Sequence, residues 1–310
     1  MIRIGTRGST LALAQAHVVA TGLRAAGADV EVVPMRTEGD RRSSARLAEV
    51  GGKGLFVREI EEALLAGRID VAVHSLKDLP ADVPEGLELA AFPEREDPGD
   101  VLVTADGAGL DDLVGGAVIG TSSLRRRALV LASRPDLVVE TLRGNVDTRL
   151  AKLAAGECDG IVLAAAGLRR LGLAPAHARA LPVETFVPAV GQGILGVEIR
   201  RDDARARRLV GVLDHADTRA CARAERSYLR RLGASCNTPM AAHATLDRAG
   251  ARPCLRMTAL VASEDGRRVL RADAVGAPGD AEDVGRGLAE LLLERGAETV
   301  TALDPSRWSR

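Results

Sequence analysis

The stretch His74-Ser75-Leu76-Lys77-Asp78-Leu79-Pro80 places an imidazole, a hydroxyl, an ammonium and a carboxylate directly after Ile69-Asp70-Val71-Ala72-Val73, a run apolar enough to be a buried strand. The carboxyl ends of strands are where α/β proteins gather binding groups. Asp78 is the one acid of that stretch and follows Lys77. A carboxylate among cations stays ionised, so it can stabilise a cationic intermediate or move a proton; the plain alternative is a turn or N-cap aspartate. Cations recur at similar junctions: Arg7 after the first strand, Arg125 and Arg126 in TSSLRRR, Arg143 and Arg149 in LRGNVDTR, Arg169 and Arg170 in AGLRR, and Lys53 in GGKG. Grouped with Ser, Thr and Asn at loop-to-helix boundaries, they point to a polyanion site, and guanidinium forks suit carboxylates. GGKGLF lacks the GxxxxGK[ST] spacing of a P-loop. Only three of the 42 basic residues are lysines, so for any single arginine a solvated helix face remains the alternative. Cys236, in the small, polar, Pro-closed segment GASCNTP, is the best candidate for an exposed thiol, although a free surface cysteine would look the same.

These residues need elements to hold them. Short apolar strands alternate with helical periodicity through IRIG, a helix from Ser9 to about Ala26, VEVVPM, a helix around Phe56 to Ala66, and IDVAV. After the Pro- and acid-rich bridge Phe92 to Asp100, the rhythm restarts with VLV, AVIGT, a helix from Ser123, LVVETL, a helix from about Asn145, and DGIVLA. Ile4-Gly5-Thr6-Arg7-Gly8-Ser9 and Ile119-Gly120-Thr121-Ser122-Ser123 are alike, each a strand running through small polar residues into a helix. Helix starts of this kind expose N–H groups that suit anions, and they are also ordinary N-caps. VGQGILGVEI predicts a further strand, and Asp202 to Leu213 and Asp217 to Leu232 predict helices. Strands CLRMTALVAS and RRVLRADAV joined at Asp265-Gly266, a helix from about Ala281 to Arg295 and a last strand ETVTAL complete a smaller α+β domain. The fold class is therefore α/β, with two similar α/β domains and a C-terminal α+β domain: residues 1–93 with a return segment 193–212, residues 94–192, and residues 216–310.

The 310 residues carry 46% apolar and 27% charged side chains, an ordinary balance for a chain with a core. A net charge of −1, one Trp, one Tyr and three Phe give neither a basic surplus nor stacking platforms, which disfavours nucleic-acid binding. No signal peptide and no apolar run of about 18 residues is visible, so a soluble, cytoplasmic protein with no membrane partner is expected. The four cysteines include no CxxC pair, against zinc and against a disulfide framework; no metal is expected.

Taken together and in order, IGTRGSTLALAQ, EVGGKGLFVREIE, VAVHSLKDLP, EREDP, IGTSSLRRR, LRGNVDTRLAKL, AAAGLRRLGL, PAVGQG and GASCNTP closely resemble the porphobilinogen deaminase (hydroxymethylbilane synthase) family. The resemblance covers nearly the whole chain and thins past about Ala241. It implies two domains similar to type II periplasmic binding proteins and a third bearing a cysteine loop. It implies a monomeric transferase of tetrapyrrole and heme biosynthesis that joins four porphobilinogen molecules head to tail, releasing ammonia, and frees hydroxymethylbilane by hydrolysis. By that resemblance Cys236 carries a dipyrromethane primer through a thioether, and Asp78 is the catalytic aspartate that favours a cationic pyrrole intermediate. Lys77, Asp78, Thr121, Ser123, Arg125, Arg126, Arg143 and Asn145 would hold the cofactor. Arg7, Ser9, Lys53, Arg149, Arg170 and Gln192 would hold substrate. His74 and Ser75 are left with positioning, and Pro80 fixes the turn. Thr10 stands where the family commonly has proline, and Asp147 where it often has a small residue, close enough to Arg143 and Arg149 to pair with one. Two other classes stay open from sequence: a catalytically idle descendant of a binding protein, which would need neither Asp78 nor a modified Cys236, and a nucleic-acid binder, whose binding would weaken with rising salt.

Overall fold

The computed structural model describes residues 1–35, 57–234, 238–250 and 252–303. The chain divides into two compact units, residues 1–96 with 194–219 and residues 97–193 with 220–310.

The first unit is built on a five-stranded sheet. Its strands are β1 (Ile2–Arg7), β2 (Val30–Met35), β3 (Val71–Ser75), β4 (Leu87–Ala91) and the returning β10 (Leu195–Arg200), in the order β2-β1-β3-β10-β4. β1 runs parallel to β2 and β3, whereas β10 is antiparallel to both its neighbours. Strands such as Val71–Ser75 are apolar almost throughout because both faces of the sheet are covered. On one face Ile2, Ile4, Val71, Val73, Val197 and Ile199 pack with Ala16, Val19, Ala20 and Leu23 of helix Thr10–Ala25. On the other, Ile60, Ala63 and Leu64 of helix Arg58–Leu65 meet Ile69, Ala72 and Leu87. Ser9 starts the first helix as predicted, its hydroxyl accepting from the Ala12 amide.

The second unit repeats the pattern with β5 (Asp100–Thr104), β6 (Val118–Gly120), β7 (Val138–Glu140), β8 (Gly160–Ala164) and β9 (Ala178–Ala180), in the order β7-β6-β8-β5-β9. Here β5 takes the place that β10 has in the first sheet: it follows a crossing of the chain, lies one strand in from the edge and is antiparallel to both neighbours. Two sheets of order 2-1-3-n-4, each with its n strand supplied after a crossover, have the topology of type II periplasmic-binding-protein domains. Within the same unit, β11 (Met240–Asp247), β12 (Cys254–Ala262) and β13 (Val269–Gly276) form an antiparallel sheet. Helices Ala216–Leu232 and Ala281–Glu294 supply Tyr228, Leu232, Leu288 and Leu292 to its core. Ala241, Leu260 and Ala262 of that sheet also enter the core that contains Leu102, Ile119 and Ala128, so the two sheets of this unit share apolar packing.

Three strands absent from the sequence reading are present, and one expected strand is not. β4 and β9 are edge strands; β9 is exposed along its whole length and has no apolar run to announce it, and the short apolar run of β4 is broken by Glu88. β11 is rich in alanine, a residue of low strand propensity, and is held by pairing with β12 over its full length. The terminal segment expected as a strand at 298–303 contains a 3₁₀ turn, Ala297–Thr299, instead. Its Ala297 and Val300 pack into the α+β core rather than joining the sheet.

The closest helix contact in that core yields a direct check. A Cβ added at Gly285 would lie 2.0 Å from the Ala224 carbonyl oxygen, whereas one at Gly287 would meet nothing within 4 Å. Gly285→Ala is expected to destabilise the protein by at least ~2 kcal/mol through forced separation of the two helices. Gly287→Ala, exposed on the same helix, should stabilise it by up to ~1 kcal/mol; urea unfolding of both variants reads the contrast.

Candidate functional site

In the first unit β3 ends at Ser75 and the chain turns through the 3₁₀ segment Leu76–Asp78. Three contacts fix this turn. The Leu76 amide donates to the Ile194 carbonyl at 2.9 Å. Gln15, itself buried, donates from Nε2 to Ser75 Oγ at 2.7 Å. His74 Nε2 lies 3.0 Å from Glu198 Oε2 on β10. With its base held in this way, the turn presents Asp78 exposed and Lys77 half-buried. Asp78 lines a pocket of about 70 Å³ together with Arg7, Ser9, Gln15, His74 and Ser75. The structure thus brings Arg7, Ser9 and Asp78 into one place from β1, the cap of the following helix and the turn after β3. Lys53 lies outside the described residues.

In the second unit the corresponding strand-to-helix junction runs from β6 through Thr121 to Ser123. Ser123 caps helix Leu124–Ser133 by accepting from the Arg126 amide, and Thr121 Oγ1 accepts from the Ser123 amide. The first turn of that helix carries Arg125 and Arg126, and both are buried. A single carboxylate receives them: Asp100, the first residue of β5, lies 2.7 Å from Arg125 Nη2 and 2.7 Å from Arg126 Nη2. Arg126 also donates to the Val162 carbonyl and Arg125 to the Val187 carbonyl, each at 2.8 Å. Burial alone would raise the pKa of Asp100, but the Arg125 and Arg126 guanidiniums override it and hold the group well below the usual carboxylate range. Two cations against one anion leave this buried cluster with one uncompensated positive charge, and Arg125 Nε has no hydrogen-bond acceptor among the described residues. Arg149, from helix Val146–Ala154, lies near enough for its pKa to be lowered, by burial first and by Arg126 second.

The remaining predicted residues of this unit divide. Asn145 occupies the N-cap of helix Val146–Ala154, is exposed and makes no side-chain capping bond, so its amide remains available at a helix start. Arg143 is half-buried. Arg149 Nε donates to the Gly144 carbonyl at 2.8 Å, and Arg170 Nη2 donates to the Gly193 carbonyl at 2.7 Å. Arg169 pairs with Asp97 at 2.9 Å. Gln192 is buried and donates to the Pro98 carbonyl and Asp100 Oδ1, so it braces the arginine cluster from behind. Asp147 is exposed. Cys236 lies outside the described residues. Of the other cysteines, Cys158 and Cys221 are buried and Cys254 is half-buried, and burial first pushes the Cys158 thiol up in pKa.

Asp100 is the functional residue that sequence reasoning missed. It was visible only as the last acid of the bridge EREDPGD, and its importance comes from two arginines 25 and 26 positions further on. Among the described residues no group of three or more His, Cys, Asp and Glu could hold a metal ion, and no helix is long and apolar enough to cross a membrane.

One sheet domain holds a buried cationic excess at a capped helix start, the other gathers Arg7, Ser9 and an exposed Asp78 in one pocket, and both have periplasmic-binding-protein topology. Residues 2–208 match the family model described as porphobilinogen deaminase, dipyromethane cofactor binding domain, and residues 219–294 match porphobilinogen deaminase, C-terminal domain. The chain belongs to the porphobilinogen deaminase family and is a transferase of tetrapyrrole biosynthesis. It is 51% identical over 303 residues to a porphobilinogen deaminase of Syntrophotalea carbinolica, spanning 97% of this chain and 95% of that one. It is 47% identical over 302 residues to that of Syntrophobacter fumaroxidans, spanning 97% and 96%. Among solved structures, an ancestral cationic amino acid solute binding protein aligns over 68% of this chain and 86% of its own, with 16% identity and a TM-score of 0.43.

The cofactor named by the family model bears carboxylates, and the observed donor set fits it: a buried, singly uncompensated positive cluster with an open Nε, flanked by an idle N-cap amide. Asp100 is the member whose loss should be felt most. Asp100→Asn leaves two buried guanidiniums without their counter-ion and should cost about 3–5 kcal/mol of stability in denaturant titrations. Because its folded pKa is depressed, the wild-type contribution is complete above the ordinary value of 3.8 and is lost only as pH falls through the folded value, so the deficit should persist from pH 5 to 8.

Proposed function

We propose that this protein joins four porphobilinogen molecules head to tail, with release of ammonia, into hydroxymethylbilane on a dipyrromethane attached through a thioether to Cys236, with Asp78 as the catalytic residue. The observation that carries the assignment of chemistry is the exposed Asp78 carboxylate in a pocket shared with Arg7 and Ser9. When bound, dipyrromethane supplies the free pyrrole carbon from which the chain grows. Lys77, Thr121, Ser123, Arg125, Arg126, Arg143 and Asn145 would hold its carboxylates, and the Asp78 carboxylate would accept from its pyrrole N–H groups. Arg7, Ser9, Lys53, Arg149 and Arg170 bind the carboxylates of porphobilinogen, and Gln192 acts through Asp100. As the amino group of the substrate's aminomethyl arm departs as ammonia, positive charge develops on the methylene carbon left behind and its ring. The Asp78 carboxylate stabilises that charge and takes up the proton released when the new bond forms. The division into residues 1–93 with 193–212, 94–192 and 216–310 follows these tasks: turnover, anion holding and cysteine carriage. The protein works as a cytoplasmic monomer on a small-molecule substrate, with neither nucleic acid nor membrane as partner.

Asp78→Asn keeps the shape of the side chain and removes its charge, so kcat should fall about 10²- to 10⁴-fold while the attached primer persists in the intact mass. Cys236→Ser should remove both the added mass and the activity, since a hydroxyl is a far poorer nucleophile than a thiolate for the attachment. Full turnover by either variant contradicts the role given to that residue.

A further inference from the structure

Behind the Asp78 pocket lies a set of ionisable side chains that neither ligand holding nor the chemistry at Asp78 uses. His74 lines the pocket at 7% exposure, with Nε2 on Glu198 Oε2. Glu198 stands in the middle of β10, fully buried, diagonally across the ladder from His74: the register pairs Gly196 with His74 and Glu198 with Ala72. Its second oxygen, Oε1, is buried and has no hydrogen-bond donor among the described residues. A buried carboxylate oxygen without a donor is costly, so something must satisfy it. Glu61 stands on helix Arg58–Leu65, which packs on β3 and β10 over the sheet face of Ala72, the face to which strand alternation and register also assign His74 and Glu198. Burial first, then the Glu198 charge, pushes its carboxyl group up to about 7, with His74 partly offsetting both. Of the other charges on the packed elements, Arg7 of β1 and Glu59 of the helix have partners too. Arg3 of β1 is on Asp70, Arg200 of β10 is on Asp203 and the Leu64 and Ile69 carbonyls, Glu88 of β4 is on Arg207, and Arg58 and Glu62 of the helix pair with each other.

We propose that Glu61, Glu198 and His74 form one proton-sharing cluster beneath the active pocket, in which Glu61 and Glu198 are positioning residues that hold His74 and thereby the Leu76–Asp78 turn. The proposal rests on Asp78 being the catalytic residue. In the protonated form Glu61 supplies the proton that Glu198 Oε1 lacks, while Glu198 Oε2 keeps His74 Nε2. When Glu61 loses that proton to solvent, two carboxylates confront each other in a poorly solvated space, and the strain falls on the strand end four residues before Asp78. The sign follows from linkage. A carboxyl group whose folded pKa lies above its unfolded value of 4.5 binds its extra proton in the native state, so its contribution to stability declines as pH rises from 4.5 to about 7 and is flat beyond.

The test uses the primer-loaded enzyme and the variants Glu61→Gln and Glu198→Gln, with melting temperature, kcat and KM measured from pH 5 to 9. Glu61→Gln retains a donor and cannot ionise. Its melting temperature relative to wild type should therefore rise between pH 5 and 8, and its kcat relative to wild type should rise at least roughly threefold over the same range. Glu198→Gln should lower kcat about 10- to 100-fold with KM changed less than about threefold, the signature of a misplaced Asp78 rather than of lost binding. If Glu198→Gln does not fold, His74→Gln reads the same split. Parallel pH profiles for wild type and Glu61→Gln, in both melting temperature and kcat, would overturn the proposal. A wild-type enzyme unable to consume porphobilinogen would overturn the assigned function instead, and the melting comparison, which needs no turnover, still decides the cluster.

Discussion

One buried carboxylate facing two buried guanidiniums organises the second unit. Asp100 reaches Arg125 and Arg126 at 2.7 Å each, the Val162 and Val187 carbonyls accept from the same guanidiniums, and Gln192 donates to Asp100. Removing three charges from water is costly, and pairing offsets that cost only if geometry and hydrogen bonds are nearly complete. Here Asp100 Oδ1 accepts from Arg126 and Gln192, whereas Asp100 Oδ2 has only its ion pair with Arg125, and Arg125 Nε has no acceptor among the described residues. The residual positive charge cannot be relieved by proton loss, because guanidinium does not titrate in this range. It is fixed beside a helix start, where backbone N–H groups and the dipole add to it. A ligand bearing several carboxylates is what such a site accepts.

The first unit solves the opposite problem. Asp78 has to be exposed and yet held, and an exposed residue on a short turn has few contacts of its own. Its position is therefore set from below, by the Leu76 amide on Ile194, by Gln15 on Ser75 and by His74 on Glu198. All three anchors join β3 to a neighbouring element, two of them to the segment that returns as β10. That strand completes the first sheet only after the chain has built the second, so the turn bearing Asp78 is finished by residues more than a hundred positions away.

This separation explains what the sequence revealed and what it hid. Ser9 and Ser123 were legible as helix caps because a cap is local: hydroxyl, spacing and following helix all lie within four residues. β1, β3, β6 and β8 were legible because each carries buried apolar residues in a short run bounded by polar or small residues. Asp78, Arg7 and Arg125 stood out as polar residues where such strands stop. The roles of Asp100, Gln192 and Glu198 were not legible, because each acts through a partner brought near only by a crossing of the chain. Arg126 was legible as a fork of the same kind as Arg143; that its Nε and both terminal nitrogens already donate to protein, which leaves one N–H on each terminal nitrogen for a ligand, was not. The exposed edge strand β9 carries no apolar run, Glu88 interrupts that of β4, and the alanines of β11 obscure a strand secured by its pairing with β12 and by core packing.

The central claim is that this chain holds a growing polyanion covalently at Cys236 while Asp78 adds units to it. Mixing the loaded enzyme with limiting porphobilinogen, quenching in acid and reading the intact protein mass tests this most directly. The account predicts a ladder of protein species, each heavier than the last by one porphobilinogen less one ammonia, with the added mass confined to the peptide containing Cys236. A protein mass that stays constant while hydroxymethylbilane accumulates in solution would contradict it.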